Sequence, residues 1–163
     1  ELVDALIALD DPNTGCWIIG GSRHTKNFEM ALKTRVNISQ TKTQIEFIGY
    51  ISDPRAHLRA ADWHIAPSAH SEALGNVVQE AKAQGTPSLV TPIGGLPETL
   101  THDRTGWILQ GVGTKAIAKG LHKMLDPNVR PDRQTVLKEA AHMNDAHDFR
   151  SRWVSVLQSV LNP

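Results

Sequence analysis

The chain has very little cysteine: Cys16 is the single one among 163 residues. An intramolecular disulfide is therefore impossible, and we expect a cytoplasmic, reducing location. Cys16 lies in the apolar run 16–19, so we interpret it as a small core residue rather than as a nucleophile. Long apolar runs are also lacking, since none approaches the roughly 20 residues that a membrane-spanning helix needs.

Positively and negatively charged residues are balanced. Lys+Arg and Asp+Glu number 17 each, so the formal net charge is zero and nothing in it attracts nucleic acid. The eight histidines do not stand at metal-ligand spacings from acidic or Cys neighbours, and we expect no metal site. What is present, 40% hydrophobic and 21% charged residues, is typical of a globular domain.

Short apolar runs alternate with segments of helical periodicity along most of the chain. This alternation predicts right-handed β-α-β units and a doubly wound parallel sheet, an α/β fold with helices on both faces. We predict a buried strand at 16–19 and further strands at 45–48, 63–66, 88–91 and 107–109.

Helical periodicity also predicts how two of the helices pack. A helix over 25–38, capped by Thr25, carries an apolar face that includes Phe28, Leu32 and Ile38. Two additional C-terminal helices follow, at 133–143 and 146–161. The last has an apolar stripe that we expect to pack in the core: Trp153, Val154, Leu157, Val160 and Leu161.

The most informative stretch, 66–109, contains Glu72 and Glu80 with seven residues between them. A turn, Leu74-Gly75-Asn76, leads into a helix predicted over 75–84. The free N–H groups and the dipole of a helix N-terminus favour an anion there. A ligand with a diphosphate in its middle and hydroxyls at both ends would suit this arrangement, and nucleotide-sugars have that shape.

Six short motifs in this stretch occur in a recognisable order: Pro67-Ser68, Glu72-Ala73-Leu74-Gly75, Glu80-Ala81, Gly85-Thr86-Pro87, Gly94-Gly95-Leu96-Pro97-Glu98 and Thr105-Gly106. Together they resemble the C-terminal domain of retaining glycosyltransferases of the GT-B fold, family 4 (the group 1 transferases). The resemblance covers nearly all of the chain, and it implies a Rossmann-like sheet that binds a nucleotide-sugar donor.

The resemblance also implies roles for residues around the predicted helix. Glu72 would bond the donor sugar near its reacting carbon, as the catalytic carboxylate, and Glu80 would accept hydrogen bonds from the ribose hydroxyls. Gly75, Asn76 and Val77 would offer backbone N–H groups to the phosphates. Without the family context, a solvated or capping loop carboxylate is the favoured interpretation of Glu72. The alternative for Glu80 is an exposed glutamate paired with Lys82 or Lys123 on the helix surface.

Further donor contacts are implied at three other places. Leu74 stands where many family members have Phe, so the sugar pocket is expected to differ in shape. Tyr50 and Ile51 follow a strand end where the family packs or hydrogen-bonds the nucleobase. Gly94 and Gly95 belong to a loop that approaches the donor sugar. The resemblance implies no cofactor, and no metal for the chemistry.

Family members begin this domain with one more strand and a Gly-Arg…Lys-Gly segment that faces the diphosphate, which this sequence lacks. We therefore expect residues 1–163 to be a single donor-binding domain, a fragment without the N-terminal acceptor domain. Such a fragment should bind donor weakly and not turn over, and the full-length enzyme could contact membranes peripherally. In the family the terminal helix crosses back to the other domain, so we expect part of the apolar stripe of the last helix to be exposed in this fragment.

The resulting hypothesis is a hexosyltransferase of cell-envelope or polysaccharide biosynthesis that acts on a glycan or lipid-linked acceptor. The alternatives are one half of a related nucleotide-sugar 2-epimerase and a non-catalytic nucleotide-sugar-binding module. An NAD-dependent dehydrogenase is disfavoured, because the turn after residue 19 lacks the G-x-G-x-x-G spacing.

Overall fold

The computed structural model of the chain describes residues 1–21, 26–143 and 146–161, without the side chains of 142–143 and 146–148. The strands are β1 (Gly15–Ile19), β2 (Gln44–Gly49), β3 (His64–Ala66), β4 (Ser88–Val90) and β5 (Gly106–Ile108). The α helices are α1 (Leu2–Leu9), α2 (Lys26–Ser39), α3 (Arg55–Ala60), α4 (Asn76–Ala83), α5 (Thr114–Met124), α6 (Arg133–Met143) and α7 (Ala146–Leu161).

The described strands form two parallel sheets. β1 pairs with β2, and β4 lies between β3 and β5. Each connection between parallel strands passes through a helix or a helical turn, as a β-α-β unit requires. The predicted alternation of strands and helices, including the additional C-terminal helices, is confirmed.

Helices cover both faces of the β3–β5 sheet. Along β4, Leu89 faces a core cluster that contains α1 and α5, whereas Val90 faces a second cluster with Val78 of α4. This opposition follows from the two-residue period of a strand. The doubly wound arrangement is therefore confirmed for this sheet.

The larger core cluster joins the two sheets. Ala5 and Leu6 of α1 pack against Ile117 and Leu121 of α5, and the half-buried Cys16 of β1 contacts the same cluster. Burial raises the pKa of the Cys16 thiol to about 11, so the thiol stays protonated at neutral pH. This agrees with a packing role for Cys16.

The β1–β2 sheet is more exposed than predicted. Trp17 of β1 keeps 46% of its surface exposed, and on α2 the values for Phe28 and Ile38 are 66% and 76%. The expectation of a buried first strand is wrong, because the short helix α3, whose His57 ring contacts Trp17, leaves nearly half of that side chain exposed. Thr25, the predicted cap of α2, lies outside the described residues.

The stripe of α7 is also exposed. All described side chains of this helix, at 149–161, are accessible to solvent. The predicted core packing is therefore wrong, and the exposure extends beyond the part of the stripe that we expect to be open in a fragment. A helical period shows which face a helix can bury, but it does not show whether a surface lies opposite that face.

Candidate functional site

Two loops interlock at the carboxyl ends of β3 and β4. The N–H of Gly95 donates to the carbonyl of Glu72 at 2.8 Å. A Cβ atom on Gly95 would lie 2.2 Å from the carbonyl oxygen of Ala73, and one on Gly94 would lie 2.3 Å from that of Glu72. Only glycine permits such a close approach of two backbones. The glycine pair therefore fixes the position of the loop that carries Glu72.

The Glu72 side chain is half-buried and oriented by a neighbour. The Ser68 hydroxyl donates to Glu72 Oε2 at 3.0 Å. Ser68 is fixed in turn, because the Thr91 hydroxyl donates to its carbonyl at 2.7 Å. Glu72 Oε1 has no hydrogen-bond partner among the described residues, so this oxygen can accept a hydrogen bond from a ligand hydroxyl.

The N-terminus of α4 lies beside this loop. Its cap, Gly75, has φ +65°, and a Cβ there would lie 2.6 Å from Leu96 Cδ2. Asn76 and Val77 are exposed, and within the described part of the chain their N–H groups have no hydrogen-bond partner. Unpaired amides and the helix dipole together make this terminus suitable for an anion.

Glu80 is exposed on the same side of α4 as Asn76. Residues four apart on a helix are neighbours on its surface, about 6 Å apart along the axis. A carboxylate thus lies one turn beyond the amides that could bind an anion. Glu72 and the helix terminus thus lie at the carboxyl end of the β3–β5 sheet, and Glu80 lies about one turn further along α4.

The remaining predicted residues differ in their relation to this edge. Leu74 belongs to the same loop and is 59% exposed. Tyr50 and Ile51 follow β2 in the other sheet, and Tyr50 is 79% exposed. No described contact joins them to the Glu72 loop, so their role at the nucleobase stays a prediction.

Two residues near the site were not singled out from the sequence: Thr91, which supports Ser68, and Lys82. Lys82 is only 1% exposed, and its ammonium donates to the carbonyl of Thr99 at 2.7 Å. Burial lowers the pKa of Lys82, and the charge of Glu139 opposes that shift. A signal was present, because Lys82 stands four residues after the buried Val78 and so shares its apolar face.

Within the described ranges, no group of three or more His, Cys, Asp or Glu side chains is placed to bind a metal ion. The helices described here also include none with the length and apolar character needed to cross a membrane.

Parallel strands with helices on both faces and interlocked loops at the strand carboxyl ends define a Rossmann-like α/β domain. The model of the family described as glycosyl transferases group 1 matches residues 1–143. The chain belongs to this family.

Curated relatives are glycosyltransferases. The chain is 38% identical over 85 residues to a D-inositol 3-phosphate glycosyltransferase of Streptomyces scabiei, covering 49% of this chain and 19% of that protein. It is 29% identical over 142 residues to the lipopolysaccharide core biosynthesis glycosyltransferase LpsE of Rhizobium meliloti, covering 86% of this chain and 38% of that protein. The chain thus spans well under half the length of these relatives.

A solved structure shows the same fold. Anabaena HepE, crystallised in complex with UDP, superposes with a TM-score of 0.82 at 19% sequence identity, over 97% of this chain and 44% of that one. The chain has the fold of the C-terminal domain of a GT-B glycosyltransferase.

Proposed function

We propose that the chain is the donor-binding domain of a retaining glycosyltransferase, which transfers a hexose-type sugar from a nucleoside diphosphate to a glycan or lipid-linked acceptor. One observation carries the proposal. The half-buried Glu72, the unpaired amides of Asn76 and Val77, and the exposed Glu80 follow one another from the loop after β3 into α4. Their chemistry matches the sugar, diphosphate and ribose of such a donor, in the same order.

The diphosphate would bind at the N-terminus of α4. The N–H groups of Asn76 and Val77 donate to phosphate oxygens. Dipole and amides contribute on the order of 1–2 kcal/mol. This is small for a group of two negative charges, so we expect weak donor binding by this chain alone.

The two glutamates would bind the ends of the donor. Glu80 accepts hydrogen bonds from the ribose hydroxyls, each charge-assisted bond contributing about 1.5–3 kcal/mol. Glu72 accepts from a sugar hydroxyl through its free Oε1, while Ser68 keeps the carboxylate oriented. Gly94 and Gly95 shape the loop next to the sugar.

Retention would follow from attack on the face of the sugar that the diphosphate leaves. The bond between the anomeric carbon and the diphosphate oxygen breaks, and the acceptor oxygen bonds to that carbon on the same face. The acceptor proton passes to the departing diphosphate. In this scheme the protein acts by positioning and by stabilising the leaving group electrostatically, and it uses no cofactor or metal.

The rest of the enzyme would come from outside this domain. We propose that an N-terminal domain binds the acceptor and makes any peripheral contact with a membrane. UDP is the first nucleotide to test, because HepE was crystallised with it. Lipopolysaccharide core synthesis by LpsE supports an acceptor of the cell envelope.

An NMR titration tests this function. UDP, GDP, ADP and their sugar conjugates are added at millimolar concentration, and amide shifts are mapped on the chain. We expect the largest shifts at residues 75–80, with a smaller set at Tyr50, and a preference for one base. Shifts confined to other surfaces, or none for any nucleotide, would contradict the proposal.

Glu80→Ala sharpens the assignment. The substitution removes the carboxylate that accepts hydrogen bonds from the ribose hydroxyls. Nucleotide binding should weaken at least about tenfold, since at least one charge-assisted hydrogen bond is lost. The matched control is Glu46→Ala, which removes an exposed carboxylate from β2 and should leave the affinity unchanged. Equal affinities for both variants would show that Glu80 does not bind the ribose.

A further inference from the structure

Lys82 is the largest side chain that the described part of the structure buries fully, with 1% of its surface exposed. A lysine is rarely buried unless its ammonium is paired, because removing that charge from water is costly. Lys82 lies on α4, the helix that also carries Glu80 and the amides of Asn76 and Val77. The buried lysine therefore belongs to the helix at the centre of the proposed donor site.

The ammonium of Lys82 closes one end of the 3-10 turn Leu96–Thr99. Its Nζ donates to the carbonyl of Thr99 at 2.7 Å. Thr99 is itself buried, and its hydroxyl donates to the carbonyl of Leu96 at 2.6 Å. The first hydrogen bond joins α4 to the end of the turn, and the second joins the two ends of the turn to each other.

The other end of the same turn contacts the Glu72 loop. Gly95, which precedes the turn, donates its N–H to the carbonyl of Glu72 at 2.8 Å. Leu96 packs so closely on Gly75 that a Cβ there would lie 2.6 Å from its Cδ2. A shift of the turn would therefore move both the Glu72 loop and the cap of α4.

A carboxylate on α6 complements the buried ammonium. Glu139 raises the pKa of Lys82 against the lowering effect of burial, and α6 packs on α4. Glu139 also accepts from the Thr101 hydroxyl at 2.9 Å and pairs with Arg104 at 2.9 Å. Lys82 is thus one point of a polar network that joins α4, α6 and the segment after the turn.

We propose that Lys82 is a positioning residue of the donor site: it fixes the Leu96–Thr99 turn, and through that turn it sets the loop of Gly94 and Gly95 against Glu72. The effect of Lys82 on donor binding rests on the proposed function. Its effect on the position of the turn can be tested without any ligand. Lys82 lies on the buried side of α4, so it acts on the donor only through the turn.

Amide hydrogen exchange tests the structural half. In Lys82→Met, the amides of Gly95 and Glu98, which both form hydrogen bonds at the turn, should exchange at least about tenfold faster. The amide of Leu109, bonded to Val90 in the sheet, should change far less. Uniform acceleration of all three would mean general destabilisation and would overturn the proposal.

The control is Lys119→Met, the same substitution at an exposed lysine of α5 that donates to Gln110 at 3.0 Å. It should leave all three exchange rates unchanged. If Lys82→Met does not fold, Lys82→Arg retains the charge and a donor on a larger side chain. Lys82→Arg should then accelerate Gly95 and Glu98 selectively, and an unaltered turn in that variant would count against the proposal.

Titration with UDP and UDP-glucose tests the ligand half. Lys82→Met should weaken UDP-glucose binding about tenfold and UDP binding much less, because the Gly94 and Gly95 loop is placed next to the sugar. If wild-type protein binds neither these nor the GDP and ADP counterparts, the proposed function fails, and the donor-site role of Lys82 fails with it. If wild type binds and Lys82→Met binds UDP-glucose equally well, only the Lys82 proposal is overturned.

Discussion

The two sheets of this domain differ in how tightly their backbones are packed. In the β1–β2 sheet, a Cβ added at Gly20 or Gly49 would meet nothing within 4 Å. In the β3–β5 sheet and its loops, a Cβ at Gly95 or Gly106 would lie 2.2 Å or 2.0 Å from a carbonyl oxygen. Strand β4 is buried along its whole length, whereas β1 is only half-buried.

This difference indicates which loops have a fixed backbone position. The Glu72 loop, the glycine loop and the cap of α4 constrain one another through backbone contacts, so the candidate site does not depend on flexible side chains for its shape. The residues after β2, including Tyr50, have no comparable constraint. We therefore expect the phosphate and sugar positions to be better defined than the nucleobase position.

The largest effect is expected where the tight packing can be broken directly. Gly95→Ala places a methyl group against the carbonyl of Ala73, with φ −81°. An alanine adopts that φ without strain, so the clash alone is expected to destabilise the protein, by about 3 kcal/mol. Urea denaturation measures the loss, and the UDP-sugar titration should show lost binding.

Gly113 provides the matched control. It has nearly the same φ, −82°, and a Cβ there would meet nothing within 4 Å. Gly113→Ala places alanine at the N-cap of α5 and should cost no more than about 1 kcal/mol. Equal losses for the two variants would show that the Glu72 loop moves aside freely and that its packing does not fix the site.

A second way to test the tighter sheet is to lower the pH. His64 of β3 lies 3.0 Å from the Ser88 hydroxyl of β4, and burial lowers the His64 pKa to about 4 from 6.5. Between pH 4 and pH 6.5 the unfolded chain therefore binds more protons at His64 than the folded chain does. The free energy of unfolding should therefore have its full value above pH 6.5 and fall as the pH is lowered toward 4. At pH 5 the loss should be about 2 kcal/mol.

Urea denaturation at pH 7 and pH 5 measures this decline, and His64→Gln is the comparison. The variant lacks the titrating imidazole, so its loss between the two pH values should be smaller by about the same 2 kcal/mol. If variant and wild type lose equal stability on acidification, other groups cause the loss and His64 is not desolvated in solution.

The sequence predicted the secondary structure well because its signals are local. The helix at 133–143 and the one at 146–161 have the predicted bounds, since capping, proline and helical period act within a few residues. The polar neighbours of the site were harder to predict. The bond from Thr91 to Ser68 joins residues 23 positions apart, and no pattern within either loop encodes it.

Burial was predicted less well, for a related reason. The apolar residues of β1, α2 and α7 have the spacing of packed elements, yet Trp17, Ile38 and Trp153 are about half exposed or more. Local spacing encodes which side a residue faces, while burial depends on what lies across from it. Lys82 is the opposite case, a charged residue that is buried. It occupies an apolar position of its helix, and polar partners for its ammonium are available there.

The smallest effect is expected in the open part of the molecule. Ile38 of α2 keeps 76% of its surface exposed, whereas Ile117 of α5 is fully buried. Ile38→Ala should cost less than about 0.5 kcal/mol of unfolding free energy, and the same change at Ile117 should cost about 3–4 kcal/mol, because it removes buried contacts and leaves a cavity. Urea denaturation of both variants measures the difference. A loss above about 1 kcal/mol at Ile38 would mean that α2 is covered in solution. A midpoint that rises with protein concentration would then identify the cover as a second copy of the chain, since a bound partner stabilises by mass action.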